Sequence, residues 1–170
     1  LCGLRADRIL VQLLPQHKPH RTAAASVLAA AVLFCVHGPC IISFQYWLIC
    51  QILLYASAHD LATHVVPDHV HLLVLIAGLA HIPDLINSIA GLLLLPLPFL
   101  LVAWIAPGKV GGADIKLMAA LGFTLGVRAG TGAAIVGLLL ALLIQSVYKP
   151  KAGFALVPYL SFGAFLAFLT

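Results

Sequence analysis

Two of the five acidic residues in this chain, Asp60 and Asp114, each lie at the boundary of a long apolar stretch. A charged side chain that lies inside hydrocarbon costs several kcal/mol, so it usually has a partner or a function. Asp60 closes one apolar stretch and precedes a short polar turn, whereas Asp114 follows Gly111 and Gly112 at the start of another. These two carboxyl groups are therefore the strongest candidates for chemistry in the sequence.

Two aspartates that meet can hydrolyse a peptide bond, because the ionised one takes a proton from water and the protonated one donates to the carbonyl. Two carboxylates that lie close together repel each other, so their pKa values move apart and the pair holds one proton near neutral pH. The glycines before Asp114 allow the backbone to approach another helix or a substrate closely. The pattern predicts an aspartyl hydrolase built into a membrane, in which Asp60 and Asp114 share the acid and base roles.

The composition indicates an integral membrane protein. The chain is 63% hydrophobic and 8% charged, with a mean hydropathy of +1.13, and this leaves too few polar residues to cover a soluble globule. A spanning helix needs about 20 mainly apolar residues. The predicted fold is thus an all-α bundle of six or seven transmembrane helices, and nothing in the net charge of +4 indicates nucleic-acid binding.

The chain divides into a basic segment over residues 1–21, at the cytoplasm or the membrane surface, and a transmembrane peptidase domain over residues 22–170. Pro96 and Pro98 are expected to kink one span, as a membrane allows. The first apolar stretch is predicted to be a spanning helix or signal anchor, because residues 35–40 lack a convincing cleavage site. The predicted apolar stretches are 22–37, 41–59, 70–82, 85–106, 113–127, 129–148 and 153–169.

The basic residues predict the orientation of these spans. With the N-terminus in the cytoplasm and alternating spans, every lysine and arginine except Arg128 falls on the cytoplasmic side, as the positive-inside rule requires. In this arrangement Asp60 ends the second span and Asp114 opens the fifth. Both carboxyl groups are therefore expected at the cytoplasmic face.

Three short segments occur in a fixed order along residues 41–170. Asp60 is followed by Val66-Pro67-Asp68, residues 111–117 read Gly-Gly-Ala-Asp-Ile-Lys-Leu, and residues 157–160 read Val-Pro-Tyr-Leu. In these segments the chain resembles the type IV prepilin peptidases, intramembrane aspartyl proteases with a Gly-x-Gly-Asp motif. The resemblance assigns catalysis to Asp60 and Asp114. The supporting motif residues are Gly111, Gly112, Ala113, Lys116, Pro67 and Asp68.

The resemblance further implies an endopeptidase of the bacterial inner membrane. It would cleave the leader of prepilin-like or pseudopilin-like precursors of type IV pilus and secretion systems at the cytoplasmic face. No cofactor or metal is predicted, and the expected partners are the precursor and the lipid bilayer. The chain resembles the short, peptidase-only form, because its cysteines form no Cys-x-x-Cys pair. Ala113 replaces the second motif glycine, and alanine disfavours a positive φ.

Other interpretations stay open from the sequence. Asp60 and Asp114 could be helix ends or caps only, and capping is the expected role of Asp68 and Asp84. A small ion-coupled or proton-coupled transporter would also use intramembrane carboxylates. A metal-dependent hydrolase is a further alternative, and a disulfide between Cys35 and Cys40 is a less favoured one. The residues that a metal would use are Asp68 and the cluster of His59, His64, His69 and His71.

Overall fold

The computed structural model describes residues 20–82, 84–108, 110–148 and 154–170, and the regular elements in these ranges are α-helices. The predicted basic segment over residues 1–21 lies almost wholly outside the described residues. In chain order the described helices are α1 (His20–His37), α2 (Ile41–Thr63), α3 (Asp68–Gly78), α4 (Leu85–Leu94), α5 (Leu97–Ile105), α6 (Gly112–Tyr148) and α7 (Val157–Ala167).

The all-α membrane fold predicted from the composition is confirmed. Within the described ranges, three stretches are long and apolar enough to cross a membrane: Ile41–Thr63, Leu85–Ile105 and Gly112–Val147. Large apolar side chains also cover much of the outer surface, and Ile86 and Trp104 are each 81% exposed. A surface of this kind suits lipid tails, whereas a soluble monomer rarely exposes large contiguous apolar patches.

The stretch predicted as one kinked span over residues 85–106 is confirmed, with an interruption at its two prolines. Its two prolines interrupt the backbone hydrogen bonds, so that α4 ends at Leu94 and Pro96 becomes the N-cap of α5. Pro98 lies in the first turn of α5, where a missing N–H is tolerated. The two helices still form one apolar stretch of 21 residues.

Helix α6 consists of two halves that join at Gly126, whose φ of 71° and ψ of −175° are not helical. Gly122, in the first half, lies against Gly91 of α4, and Gly130, in the second half, lies against Leu95. The first half therefore runs antiparallel to α4 and the second half parallel to it. A straight helix of 37 residues would measure about 55 Å, well beyond the hydrocarbon core of about 30 Å. A division was predicted between stretches 113–127 and 129–148, and the structure has it two residues earlier than Arg128, at Gly126.

Asn87, in the first turn of α4, holds this reversal in place. Its Oδ1 accepts a hydrogen bond of 3.1 Å from the N–H of Val127. A Cβ atom at Gly126 would overlap the Asn87 amide, and the positive φ there also favours glycine. One side chain therefore stabilises the backbone at the point where α6 changes direction.

Long-range hydrogen bonds define two ends of the bundle. At one end, Asp60 contacts Val157, and Lys116 contacts Asp68; we call this the carboxylate end. At the opposite end, the Gln45 amide donates to the carbonyls of Ala77 and Gly78. These hydrogen bonds are consistent with helices that alternate in direction along the chain. Asp60, near the end of α2, and Asp114, at the start of α6, therefore lie at the same end of the bundle.

Helices α4 and α6 cross in close contact at Gly91 and Gly122. A Cβ atom on either glycine would overlap the backbone of the other helix. Small residues at such a crossing let helices pack closely in a membrane, where no hydrophobic effect drives them together. Because this crossing lies on the first half of α6, it positions the helix that carries Asp114.

We predict opposite effects for two glycine-to-alanine substitutions in α6. Gly122→Ala should destabilise the protein by about 1–3 kcal/mol, because the new methyl group meets the Gly91 backbone. Gly132→Ala should be neutral or stabilising by up to about 1 kcal/mol, because nothing lies within 4 Å of the added atom and alanine favours helix. The midpoints of thermal unfolding in detergent measure both effects. A Gly122→Ala protein as stable as the Gly132→Ala protein would contradict this packing.

Candidate active site

Asp60 lies in the last turns of α2, and only 6% of its surface is exposed. Its Oδ2 accepts a hydrogen bond of 3.1 Å from the backbone N–H of Val157, the first residue of α7. The Ser57 hydroxyl, further back along α2, donates to the Ser161 hydroxyl of α7 at 3.0 Å. The end of α2 and the start of α7 are therefore fixed to each other by polar contacts that include the candidate carboxylate.

The sequence at the start of α7 explains why this helix accepts a distant carboxylate. Its N-cap residue, Leu156, offers no side-chain cap, and Pro158 in the first turn lacks an N–H. A helix N-terminus carries unpaired N–H groups and a partial positive charge. Asp60 supplies an acceptor for one of these N–H groups, and α7 in turn stabilises a carboxylate in a mostly apolar setting.

Helix α2 ends three residues after Asp60 because His64 adopts a left-handed conformation, with φ of 54°. The N–H of His64 donates to the Asp60 carbonyl at 2.8 Å, as in a left-handed helix C-cap. The His59 ring donates to the Val65 carbonyl at 2.7 Å and so stabilises the same turn. Sequence reasoning missed this role of His64; the only available signal is that histidine tolerates this conformation better than most residues.

Asp114 is the third residue of α6, and its side chain is partly buried. Its N–H donates to the Gly111 carbonyl at 3.1 Å. A Cβ atom at Gly111 would lie 3.1 Å from Asp114 Oδ2, whereas a Cβ atom at Gly112 would meet nothing within 4 Å. The first of the two glycines therefore leaves space for the Asp114 carboxylate, whereas a side chain on the second would enter open space.

The structure brings Asp60 and Asp114 near each other at the carboxylate end. The Asp60 carboxyl accepts a hydrogen bond from Val157, and the helix that carries Asp114 packs on the same buried cluster as Val157. Beneath the two acids, Val66, Leu117 and Val157 belong to one buried cluster. This cluster joins the turn after α2, the first half of α6 and the start of α7, so the elements that carry both acids pack on one another.

Ala113, which replaces a motif glycine, lies in the helical part of α6. Among the described residues other than glycine, a positive φ occurs only at His64. The backbone at Ala113 therefore has no positive φ and requires no glycine. Its methyl group packs against the buried cluster, so that the substitution adds apolar contact.

Asp68 forms an ion pair and does not cap its helix, so the capping prediction for Asp68 is wrong. The N-cap of α3 is Pro67, and the Lys116 ammonium donates to Asp68 Oδ1 at 2.7 Å. The hydrogen bond from Lys116 and its charge hold the pKa of the Asp68 carboxyl below its ordinary value. Asp84 does cap α4, since its Oδ1 accepts from the N–H groups of Ile86 and Asn87.

The metal-site interpretation concerns Asp68 and the histidine cluster. Within the described ranges, no group of three or more histidine, cysteine, aspartate or glutamate side chains is arranged to hold a metal ion. His71 is buried, and neither of its ring nitrogens has a hydrogen-bond partner in the described part of the chain.

Cys35 and Cys40 are both free thiols and form no disulfide with each other.

The position of the acids bears on the transporter interpretation. Asp60, Asp68 and Asp114 lie at the carboxylate end, and Asp84 lies at the opposite end as a helix cap. A proton or cation pathway would need polar groups along the length of the bundle. Grouped acids of this kind are more typical of a hydrolytic site.

Comparison with known proteins agrees with the fold and the grouped acids. The chain matches the type IV leader peptidase family over residues 47–169, which is more than half of its length. It therefore belongs to this family and is a membrane peptidase. The match begins within α2 and contains Asp60, Asp114 and the start of α7. No curated protein and no solved structure matches the chain.

The contact between Asp60 and Val157 predicts how the stability responds to substitution. Asp60→Ala should lower the free energy of unfolding by about 1–3 kcal/mol, because it leaves the buried Val157 N–H without an acceptor. Asp60→Asn should cost less, since the amide oxygen can accept the same hydrogen bond. Thermal unfolding of both variants in detergent tests this order, and an Asp60→Asn protein less stable than Asp60→Ala would refute it.

The two motif glycines provide a second prediction. Gly111→Ala should impair catalysis, because its methyl group would press on Asp114 Oδ2. Gly112→Ala, with no heavy atom within 4 Å, should keep catalysis near the wild-type level. Rates of leader-peptide cleavage by the two purified variants provide the measurement. Equal rates would show that Gly111 does not make room for the carboxylate.

Proposed function

We infer that the protein is an aspartic endopeptidase in which Asp60 and Asp114 form the catalytic pair. The observation that carries this proposal is the packing of the end of α2, which carries Asp60, against the starts of α6, which carries Asp114, and α7. Membership of the type IV leader peptidase family supports peptide hydrolysis in general. The acids are the residue type that can perform it without a bound metal.

In this proposal one carboxylate takes a proton from a water molecule while the water oxygen bonds to the peptide carbonyl carbon. The other carboxyl donates its proton to the carbonyl oxygen. The C–N bond then breaks, and the leaving nitrogen takes the proton that came from water. Two adjacent carboxyl groups that share one proton supply both functions, since like charges at short range do not ionise together.

The proposed substrate is the leader of a prepilin-like or pseudopilin-like precursor. Its cleavage would occur at the cytoplasmic face of the bacterial inner membrane, with the N-terminus of the enzyme in the cytoplasm and the helices crossing the bilayer several times. The family supports a leader-type substrate, and the distribution of lysine and arginine supports the orientation. The carboxylate end would then face the cytoplasm, where water has access to the acids.

Replacement of either acid by its amide tests the proposal. Asp60→Asn and Asp114→Asn should each lower cleavage of a co-expressed precursor by at least about two orders of magnitude, because each removes a proton acceptor. Asp84→Asn is the matched control, since asparagine caps a helix as well as aspartate does. A gel shift for leader removal measures all three variants.

The proposal fails if Asp60→Asn or Asp114→Asn still processes the precursor while membrane insertion is normal. A chelator should leave wild-type cleavage unchanged, because neither proposed catalytic group needs a metal. Loss of cleavage on chelation, restored by added metal, would favour the metal-dependent hydrolase that uses the histidine cluster.

A further inference from the structure

A crevice of about 400 Å³ lies between α3, α4 and α6, on a different face of α6 from Asp114. Its mouth, at the carboxylate end, contains Asp68 and Lys116, and apolar side chains that include Leu72, Leu75 and Leu92 line the rest. Its size falls within the range of small-molecule sites. The site is therefore amphipathic along the direction in which the bundle would cross a bilayer.

The mouth carries two opposite charges that are both accessible. The side chain of Asp68 is 78% exposed and that of Lys116 is 57% exposed, although the two form an ion pair of 2.7 Å. An exposed pair of this kind contributes little to stability, at most about 1 kcal/mol. Asp68 and Lys116 can therefore separate and pair with the charges of a ligand at a small cost in free energy.

A third polar group lies beside the ion pair. His71 lines the crevice, only 7% of its surface is exposed, and neither ring nitrogen has a partner in the described ranges. An unsatisfied buried polar group costs about 1–3 kcal/mol. A ligand oxygen that enters the crevice, together with a rotation of the ring, would satisfy one nitrogen.

We propose that this crevice binds one phospholipid with a primary-amine zwitterionic headgroup, of the phosphatidylethanolamine class. The headgroup ammonium pairs with Asp68, the phosphate pairs with Lys116, and an acyl chain lies along Leu72, Leu75 and Leu92. Each protein charge then has a hydrogen-bonded partner of opposite sign. An anionic headgroup would meet the Asp68 charge, and a choline headgroup has no N–H to donate to it.

Lipid titration of the purified, delipidated protein tests this site. Phosphatidylethanolamine, phosphatidylglycerol and phosphatidylcholine with identical acyl chains are added in mixed micelles, and the midpoint of thermal unfolding is followed. Ligands that bind the folded state raise this midpoint, and the stabilisation grows with the logarithm of ligand concentration divided by Kd. We expect the apparent affinity for phosphatidylethanolamine to exceed the other two by about tenfold or more, a difference of about 1.4 kcal/mol.

Two variants and two controls distinguish lipid binding at this site from a general effect of lipid on stability. Asp68→Asn should abolish the preference for ethanolamine over choline, and Lys116→Met should weaken the binding of all three lipids. Arg128→Met removes an exposed charge at the opposite end and should change neither property. Asp114→Asn should keep the lipid preference, so that lipid binding and cleavage are judged independently.

Equal stabilisation by the three lipids overturns the proposal. A preference for ethanolamine that persists in Asp68→Asn also overturns it, because the carboxylate would then not contact the ammonium.

Discussion

The arrangement of the candidate site depends on one buried contact, in which the Asp60 carboxylate accepts the Val157 N–H at the start of α7. A carboxylate in an apolar setting is stable only where donors or positive charge compensate it. The partial positive charge of the α7 N-terminus supplies this compensation. Helix α7 must therefore begin where α2 ends, and for this reason a helix without an acidic residue belongs to the site.

The second constraint is the position of α6, because Asp114 must approach Asp60 from a different part of the chain. The reversal at Gly126 and the crossing of Gly122 with Gly91 place the first half of α6 against α4. The Lys116–Asp68 pair joins the same half to the start of α3. Steric packing in the apolar part of the bundle thus orients the helix that carries the second acid, and the exposed ion pair adds little to it.

Much of this organisation could be predicted from sequence, and the failures have identifiable causes. The lengths of the apolar stretches predicted the helical segments, and the positions of the basic residues predicted that both acids lie at one end. Both signals depend only on residues that are close in sequence. The kink at Pro96 was predicted, because proline lacks the N–H that a helix needs. Asp68 was predicted to be a cap because its partner, Lys116, is distant in sequence. The hydrogen bond to Val157 and the left-handed His64 depend on tertiary packing, which no local pattern encodes.

The central claim, that Asp60 and Asp114 act as one proton-sharing unit, can be measured by NMR titration of the carboxyl carbons in protein labelled at its five aspartates. The account predicts two coupled steps for these two signals. Replacement of either aspartate by asparagine should turn the remaining signal into a single, displaced step. If each signal titrates identically with and without its neighbour, the two groups do not share a proton and the account is contradicted.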